Sequence, residues 1–378
     1  MKKVLFVTTV GGFVSQFEMN DVRILQDKGC EIHYAANFDN NVYYVEEDFY
    51  KRHGIIQHNV PMVKSPLSIL KNYKVYKEVR NIIDREKIDL VHCHTPVGGV
   101  IARMAANRSK KKPKVIYTAH GFHFYKGGPM SNWCIYYPIE RFMAKCTDGL
   151  ITINNEDYER AKNFKLREGG NVYKIPGVGL DEFFMNDENS YKCRDKELMK
   201  LVSISELNKN KNHKVAIKAV KKLIDAGIEV FYDIYGKGPY EKKLEKYIIK
   251  KNLNDYVKLR GYTSEPREIL KEADCFLFPS IREGLGMSAL EAMASGVPVI
   301  SSENRGTKEY MIDGYNGIVC RQNKPREYVE AILKLQSSSD MRMMMGSNAK
   351  ETAKRFSRAH SEAVMRKVYE SFFIADKR

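Results

Sequence analysis

Residues 275–301 read CFLFPSIREGLGMSALEAMASGVPVIS, and this stretch decides the fold class. An apolar run at 275–279 predicts a buried strand, residues 287–295 have the period of an amphipathic helix, and 297–301 is a second apolar run. A helix between two short apolar strands is typical of a β-α-β unit, in which the strands run parallel. The stretch therefore predicts an α/β fold.

The same alternation of strands and helices continues along the chain. The first half has predicted strands at 3–10, 31–36, 88–93, 114–119, 150–153 and 172–175 and helices at 17–28, 97–107 and 133–145. The second half begins the scheme again, with strands at 198–204, 229–235 and 256–259 and helices at 213–226, 240–251 and 266–273. Two such series predict two doubly wound, Rossmann-like domains built on parallel sheets.

The length of the chain, 378 residues, suits two domains of roughly 180 residues each. The polar segment 181–197 is the predicted linker between them. We expect an N-terminal domain at 1–185 and a C-terminal domain at 186–356. The last segment, 357–378, contains a helix predicted at 357–374 that packs back on the N-terminal domain.

The composition indicates a soluble cytoplasmic protein. Apolar residues make up 43% and charged residues 29% of the chain, which argues against disorder. No apolar run approaches the roughly 20 residues that a membrane-spanning helix needs. The seven cysteines include no C-x-x-C pair, so we expect buried, reduced thiols and no structural zinc site.

Ligands of a parallel sheet bind at the carboxyl ends of its strands. The groups that follow predicted strands are small, polar or titratable: Gly11-Gly12, His94-Thr95-Pro96, His120-Gly121, Gly236-Lys237-Gly238 and Glu283-Gly284. Each group alone is a weak signal, because a lone histidine is more often a buried packing residue and a glycine pair is often only a turn. Together they predict an active site at these strand ends.

The segment from Glu283 to Glu291 has the parts of a nucleotide-sugar site. Glu283 lies in a glycine-containing loop, where the backbone can approach a ligand closely. The predicted helix begins near Met287, and its first N–H groups can hold a phosphate. Glu291 lies one turn into the helix, where a carboxylate can accept hydrogen bonds from two hydroxyls. The alternative is an ordinary helix whose acidic residues are only solvated.

This segment resembles the E-x7-E signature of the retaining, glycogen-synthase-like glycosyltransferases of family 4. The likeness includes the EAMASGVPVI sequence at 291–300. The resemblance implies a GT-B fold, in which two Rossmann-like domains face a central cleft. It also implies that Glu283 contacts the transferred sugar, that Glu291 contacts the ribose hydroxyls, and that the backbone amides around Gly286, Met287 and Ser288 meet the diphosphate or the sugar.

The resemblance extends through the first half of the chain. Gly11 and Gly12 match the family's glycine loop, near the diphosphate and the acceptor. The sequences HTPVGG at 94–99 and TAHGF at 118–122 match two further motifs of the first domain. By this likeness, His120 lies beside the transferred sugar. The acceptor-side candidates are His94, Phe122 and Glu140, and Glu140 could instead be only an anchor between its helix and the cleft.

The second half matches the family's phosphate site with one departure. The family pattern has an arginine five residues before a lysine, and here Lys211 is kept while Glu206 occupies the arginine position. A carboxylate repels phosphate, so Glu206 either points away or meets a sugar or the acceptor. Gly236 and Arg305 lie in segments that fit the capsule and exopolysaccharide subgroup, and both are candidates for donor contact.

The resemblance implies a retaining hexosyltransferase. We expect transfer of a hexose, an N-acetylhexosamine, from a UDP-sugar to an oligosaccharide or an undecaprenyl-diphosphate-linked sugar in cell-surface polysaccharide assembly. The expected catalytic residues are His120, Lys211 and Glu283. No Asp-x-Asp follows a predicted strand, so no metal and no other cofactor is expected.

The net charge of +16 is spread over both halves of the chain. No nucleic-acid recognition motif accompanies this charge, so a nucleic-acid partner is not expected. The stretch 64–85 alternates apolar residues with Lys71, Lys74, Lys77 and Arg80. Such a helix either lies on the anionic inner face of the membrane or packs on a sheet with a solvated basic face.

Two other enzymatic or binding functions remain open from the sequence. A UDP-sugar epimerase of GT-B fold would consume a UDP-sugar without an acceptor. A non-catalytic protein that binds a sugar nucleotide would need the donor site alone. The presence of Glu283, Glu291, Lys211 and His120 together argues against the second of these.

Overall fold

The computed structural model describes residues 1–39, 43, 45–63, 65, 68–185 and 198–373. It divides into two compact units: unit 1 is Met1–Gly179 with Ala359–Arg378, and unit 2 is Leu180–Arg358. The predicted linker falls at the start of unit 2, and its residues 186–197 lie outside the described residues. Each unit is an α/β structure on a parallel sheet, so the predicted fold class is confirmed.

Within its described residues, unit 1 has a seven-stranded parallel sheet in the order β3-β2-β1-β4-β5-β6-β7. Its strands are β1 (Lys3–Val7), β2 (Glu31–Ala36), β3 (Ile55–Asn59), β4 (Leu90–His94), β5 (Lys114–Ala119), β6 (Gly149–Thr152) and β7 (Asn171–Lys174). Its helices are α1 (Phe13–Phe17), α2 (Met19–Asp27), α3 (Phe49–Arg52), α4 (Ile69–Arg85), α5 (Pro96–Arg108), α6 (Met130–Ala144), α7 (Asn155–Ala161) and α14 (Arg358–Phe373). The strand order reverses between β1 and β4, as in doubly wound sheets.

The described part of unit 2 has a six-stranded parallel sheet in the order β10-β9-β8-β11-β12-β13. Its strands are β8 (Met199–Ile204), β9 (Val230–Tyr235), β10 (Val257–Gly261), β11 (Cys275–Phe278), β12 (Val299–Ser302) and β13 (Gly317–Cys320). Its helices are α8 (His213–Asp225), α9 (Glu241–Lys250), α10 (Pro266–Lys271), α11 (Met287–Ala294), α12 (Pro325–Gln336) and α13 (Ser339–Ala353). The strand order reverses between β8 and β11, which carries the Glu283 loop at its carboxyl end.

The first β-α unit differs from the prediction. The strand expected to reach Val10 ends at Val7, because the backbone then turns and the Val10 carbonyl accepts hydrogen bonds from the Thr8 and Tyr34 hydroxyls. The helix predicted at 17–28 corresponds to α2, and a further helix, α1, precedes it from Phe13; the two helices meet at Glu18. Glu18 is buried at this break, so the break places a carboxyl group inside the unit.

The last helix, α14, packs on unit 1. The Tyr369 side chain is fully buried; its hydroxyl donates to Asp21 Oδ2 at 2.9 Å and lies 2.8 Å from His92 Nδ1. A Cβ on Gly149 of β6 would lie 2.7 Å from the Phe372 ring, so α14 approaches the sheet closely at this glycine. The residues of 374–378 lie outside the described residues.

Six cysteines are described, and all six are free thiols. Four of them are buried, whereas Cys134 is exposed and Cys146 is partly exposed, because both lie on or just after the amphipathic helix α6. Cys193 lies outside the described residues. Among the described helices, none combines the length and the apolar character that crossing a bilayer requires.

Candidate active site

The Glu283 loop and α11 form the donor-side candidate site in unit 2. The chain leaves β11 at Phe278 and enters α11 at Met287 through Gly286, whose φ of 98° lies in the left-handed region. A Cβ at Gly286 would come within 2.9 Å of the Phe278 ring. Both the left-handed backbone and this close contact therefore favour glycine at the turn. Met287 and Ser288 lie in the first turn of the helix, so their backbone N–H groups have no acceptor within the helix. Free N–H groups at a helix start can bind anions.

Lys211 and Glu283 form an ion pair at this site. Lys211 Nζ lies 2.7 Å from Glu283 Oε1, and the two side chains are 19% and 13% exposed. Asn210 fixes the two loops to each other: its carbonyl accepts from the Ile281 amide, and its side chain bonds the Arg282 backbone. Lys211, which is predicted to bind the phosphate, and Glu283, which is predicted to bind the sugar, are therefore neighbours, although they are 72 residues apart in sequence.

Arg305 lies behind the same loop. Its side chain is buried, and its Nε donates to the Glu283 carbonyl oxygen at 3.2 Å. The next residue, Gly306, packs so tightly that a Cβ there would lie 2.8 Å from the Leu285 carbonyl oxygen. In the described structure Arg305 therefore positions the Glu283 backbone, a contact that the sequence motif does not predict.

Glu291 lies on the partly buried face of α11. Burial raises the pKa of its carboxyl to about 7, and the negative charge of Asp181 adds to the effect. A carboxyl group that titrates near neutral pH, in a site of unit 2 beside an anion-binding helix start, is typical of a binding or catalytic position. The predicted ribose contact thus has the accessibility and the perturbed pKa of a functional residue.

Glu206 lies in the exposed loop after β8. Its carboxylate accepts a hydrogen bond from Asn208 Nδ2 at 2.8 Å, so in this structure it bonds within its own loop. The neighbouring Gly236 has a φ of 139°, and a Cβ there would lie 1.8 Å from the Ser205 carbonyl oxygen. Gly236 is thus required for the close packing of the loops after β8 and β9, which holds the segment before Lys211 in place.

The glycine loop of unit 1 is buried. The Gly11 amide donates to the Asn37 carbonyl oxygen at 2.9 Å, and the Gly11 carbonyl accepts from the Tyr50 hydroxyl. A Cβ on Gly12 would lie 2.8 Å from the Tyr43 Cβ. The two glycines therefore let neighbouring segments of unit 1 pack closely, and their proposed contact with a ligand stays a prediction.

His94 and His120 meet at the carboxyl ends of β4 and β5. His94 Nδ1 lies 3.1 Å from His120 Nε2, and Glu18 Oε1 lies 3.4 Å from each of these nitrogens. His120 is the most accessible member, with 27% of its side chain exposed. We name these three residues the Glu18 cluster.

The ionisation of the Glu18 cluster follows from its burial. Burial lowers the pKa of His120 to about 4 and that of His94 well below its usual value, so both imidazoles are neutral at pH 7. Burial, with the Asp21 charge next in importance, raises the pKa of the Glu18 carboxyl. Glu18 was missed by sequence reasoning because its partners are distant in sequence, and because it lies among other polar residues such as Gln16, Asn20 and Asp21, so nothing local marks it.

A metal ion has one candidate place among the described residues, the Glu18 cluster, whose three ligand atoms all lie within 4.8 Å of one another. Two imidazole nitrogens and a carboxylate are a donor set that zinc uses. However, ligand histidines usually donate their other N–H to an acceptor, and the other ring nitrogen of His94 is buried without a partner in the described structure. The expectation of no metal stays a prediction.

Two acceptor-side candidates are placed differently from the expectation. Phe122 is buried in the core and stacks on Phe124 at 4.8 Å between ring centroids, so its side chain packs inside the unit. Glu140 is also buried; it accepts from Arg103 at 2.8 Å and from the Tyr117 hydroxyl at 3.2 Å. This bonding favours the anchor alternative for Glu140, which fixes α6 against α5 and β5.

Solved structures define the class to which this architecture belongs. The chain matches HepE of Anabaena, solved in complex with UDP and glucose, with a TM-score of 0.75 and 17% identity over 98% of this chain and 100% of that one. It matches sucrose-phosphate synthase of Thermosynechococcus elongatus with a TM-score of 0.80 and 14% identity over 99% and 100% of the two chains. The fold is that of the GT-B glycosyltransferases.

Sequence comparisons define the family. The family model described as glycosyl transferases group 1 matches residues 188–352, and the model described as glycosyl transferase 4-like matches residues 3–154. The putative glycosyltransferase EpsD of Bacillus subtilis is 36% identical over 384 residues, which cover 99% of this chain and 98% of EpsD. The chain therefore belongs to the group 1 glycosyltransferases, and the family predicted from its sequence is confirmed.

A further relative is the UDP-Gal:alpha-D-GlcNAc-diphosphoundecaprenol alpha-1,3-galactosyltransferase of Escherichia coli. It is 28% identical over 295 residues, which cover 75% of this chain and 76% of the relative. The name of that enzyme states a UDP-sugar donor and an acceptor on a lipid diphosphate.

Proposed function

We propose that this protein transfers a hexose, an N-acetylhexosamine, from a UDP-sugar to a sugar acceptor on a lipid diphosphate, with retention of configuration, in cell-surface polysaccharide assembly. The observation that carries the proposal is the Lys211–Glu283 ion pair beside the start of α11. The E. coli relative named above, with its UDP-sugar donor and diphosphoundecaprenol acceptor, supports the donor and acceptor classes.

The leaving group is a nucleoside diphosphate, which gains negative charge as the bond from the sugar C1 to the phosphate oxygen breaks. The bonding electron pair goes to that oxygen. Lys211 and the N–H groups of Met287 and Ser288 stabilise the charge by preorganised electrostatics, which is worth most in a water-poor site. Arg305 adds a fixed positive charge behind the loop.

The ion pair also explains how a bound donor changes the site. In this structure the Lys211 ammonium is paired with the Glu283 carboxylate. A diphosphate attracts Lys211 as a second anion, so Glu283 becomes available to accept hydrogen bonds from the hydroxyls of the transferred sugar. Glu291 then holds the ribose diol one turn further along α11. Both carboxylates act as acceptors and neither is needed as a covalent nucleophile.

The acceptor step proceeds on the same face of the sugar. The acceptor hydroxyl attacks C1 as the phosphate leaves, and its proton passes to the leaving phosphate oxygen, so C1 keeps its configuration. His120 is neutral and accessible, and it orients a sugar hydroxyl by a hydrogen bond rather than by charge. No step requires a metal ion, and we propose that the reaction is independent of one.

Replacing Lys211 by alanine tests this function. The charge on the departing diphosphate loses its main side-chain partner, and Glu283 is left as an unpaired carboxylate, so turnover falls by about 10²–10³-fold. The measurement is UDP release from a UDP-hexose in the presence of acceptor. The matched control is Lys209→Ala, because Lys209 is an exposed lysine of the same loop. Equal rates for Lys211→Ala and Lys209→Ala would contradict the proposal.

Membrane association belongs to the same proposal, because a lipid-linked acceptor resides in a bilayer. Lys71, Lys74 and Lys77 are exposed along α4, whereas Val75 and Val79 of that helix face the core. Of the stretch 64–85, residues 64, 66 and 67 lie outside the described residues. We propose that α4 makes the protein peripheral to the cytoplasmic membrane face.

A further inference from the structure

Unit 1 contains an open groove of about 610 Å³ between α4, α5 and α6, which we name the α4–α6 groove. Its apolar side chains come from all three helices and from the chain after β1. Among them are Phe13, Tyr73, Met104, Tyr136 and Ile139, and Tyr43 also lines the groove. The volume is that of a small-molecule site, which typically has roughly 300–1,000 Å³.

The polar groups of the groove are largely bonded to the protein. Thr9 Oγ1 and Thr95 Oγ1 lie 2.7 Å apart and bond each other. Glu140 is held by Arg103 and Tyr117, and the Asn72 amide nitrogen donates to the Ser65 carbonyl. The Asn72 side-chain oxygen is a remaining unpaired acceptor. Tyrosine hydroxyls and His123 also border the groove, but most of its lining is hydrocarbon and aromatic surface, so it favours an occupant that is largely apolar.

The groove begins beside the candidate catalytic histidine. Phe13 lines the groove, and its ring lies edge-on to the His120 ring at 5.3 Å between centroids. An acceptor whose reacting hydroxyl lies at His120 can therefore extend past Phe13 into the groove.

The rim of the groove is exposed and apolar, with a basic edge. Tyr73 is 54%, Met104 43% and Ile139 38% exposed. The apolar surface continues onto Leu70 of α4 and Ile135 of α6. Lys71, Lys74 and Lys77 on α4 flank it with positive charge, and the Lys77 ammonium lies 4.7 Å from the Tyr73 ring centroid. An occupant that combines a hydrocarbon chain with an anionic group complements both features.

We propose that the α4–α6 groove binds the first part of the hydrocarbon chain of a polyprenyl-diphosphate-linked acceptor. This inference rests on the proposed function and names where the lipid part of the substrate lies. The groove then makes the enzyme selective for the length of the chain, since apolar contact with the lining strengthens binding of long-chain acceptors only.

The test compares two acceptors with the same sugar diphosphate, one on a long polyprenyl chain and one on a short alkyl chain. In the unmodified protein, kcat/KM is higher for the long chain. Ile139→Asp places a charge in the groove at an exposed position, and we expect the preference for the long chain to fall by about tenfold or more. Ile139→Leu retains it. Ile249→Asp is the matched control, because Ile249 is an exposed isoleucine of α9 in unit 2.

Direct binding separates this inference from the proposed function. Calorimetry compares the affinity for farnesyl diphosphate with that for inorganic diphosphate, and the difference measures binding of the hydrocarbon chain without any sugar transfer. If farnesyl diphosphate binds more tightly, and if Ile139→Asp and Met104→Asp abolish this difference, the groove binds the hydrocarbon chain. This result supports the inference even if the protein transfers no sugar to an acceptor. Equal binding of the two probes by the unmodified protein overturns it, and so does transfer with a chain preference that Ile139→Asp leaves intact. A dimer that Ile139→Asp dissociates, with no farnesyl diphosphate binding, overturns it in favour of self-association.

Discussion

Glu291, the proposed ribose contact, has a buried carboxyl group that lowers the stability of the folded protein at alkaline pH. Its carboxyl has a pKa of about 7 in the folded protein, whereas a glutamate in an unfolded chain titrates near 4.3. The folded state therefore holds the extra proton between these pH values, and the free energy of unfolding falls as the pH rises from about 4.5 through 7. At pH 8 the folded protein carries a partly buried carboxylate that the unfolded chain would solvate.

Glu291→Gln removes this cost. We expect the variant to be more stable than the unmodified protein at pH 8, by about 1–2 kcal/mol, and the difference to vanish near pH 3, where Glu291 is protonated in both the folded and the unfolded state. Its affinity for UDP falls, because the amide no longer accepts two hydroxyl hydrogen bonds. Thermal unfolding and UDP calorimetry measure the two effects. A variant that gains no stability at pH 8, or that binds UDP unchanged, contradicts the assignment.

The structure brings together Lys211 and Glu283, two residues predicted for the donor site, whereas it buries Phe122 and Glu140, two residues predicted for the acceptor side. Lys211, Glu283 and Glu291 could be found because each lies within a short motif at the end of a strand. Glu18 could not, because it meets His94 and His120 only through the parallel order of β1, β4 and β5. The position of Phe122 was also not predictable, since the direction of a side chain after a strand depends on how the loop turns.

At the scale of elements, α11 depends on the glycine that begins it. Gly286→Ala introduces a Cβ both into a left-handed backbone position and against the Phe278 ring and the Tyr310 hydroxyl. We expect the start of α11 to shift and the affinity for UDP to fall at least tenfold, because the anion-binding N–H groups move with it. UDP calorimetry is the measurement.

Gly314→Ala is the matched control for this element. Gly314 also has a left-handed backbone, with a φ of 75°, but a Cβ there meets nothing within 4 Å. It therefore shares the backbone strain of the Gly286 variant, about 1 kcal/mol, without the clash. If both variants lower the UDP affinity equally, the helix start is not the phosphate site.

Two strands that the sequence did not predict, β3 and β13, were missed for a related physical reason. The edge strand β3 has the exposure pattern of a surface segment, and its residues Gln57, His58 and Asn59 give no apolar run. The strand β13 has only four residues and begins at Gly317, whose backbone packs against β12. Strands that are short or solvent-exposed carry too few buried side chains to produce a pattern, whereas the central strands are buried on both faces.

At the scale of the whole molecule, the net charge of +16 favours an anionic surface. We expect salt-sensitive binding to vesicles that contain phosphatidylglycerol and weak binding to phosphatidylcholine alone. Changing Lys71, Lys74 and Lys77 to glutamine weakens the binding by at least tenfold at low salt, because each lysine near the surface contributes roughly 1 kcal/mol. Cosedimentation measures the bound fraction.

The control for vesicle binding removes the same charge elsewhere. Lys242, Lys246 and Lys250 are exposed lysines on α9 of unit 2, and their change to glutamine lowers the net charge equally. If the two triple variants weaken vesicle binding equally, the overall charge of the protein causes the attraction, and α4 is not the surface that contacts the membrane.

The central claim is acceptor-dependent transfer from a UDP-sugar, and one assay tests it directly. The purified protein is incubated with a chelator, a panel of UDP-hexoses that includes the N-acetylhexosamines, and a polyprenyl-diphosphate-linked sugar. We predict UDP release that requires the acceptor and persists with the chelator, together with a product whose new linkage has the anomeric configuration of the donor. Conversion of a UDP-sugar without acceptor, a product of inverted configuration, or activity that the chelator abolishes would contradict the account.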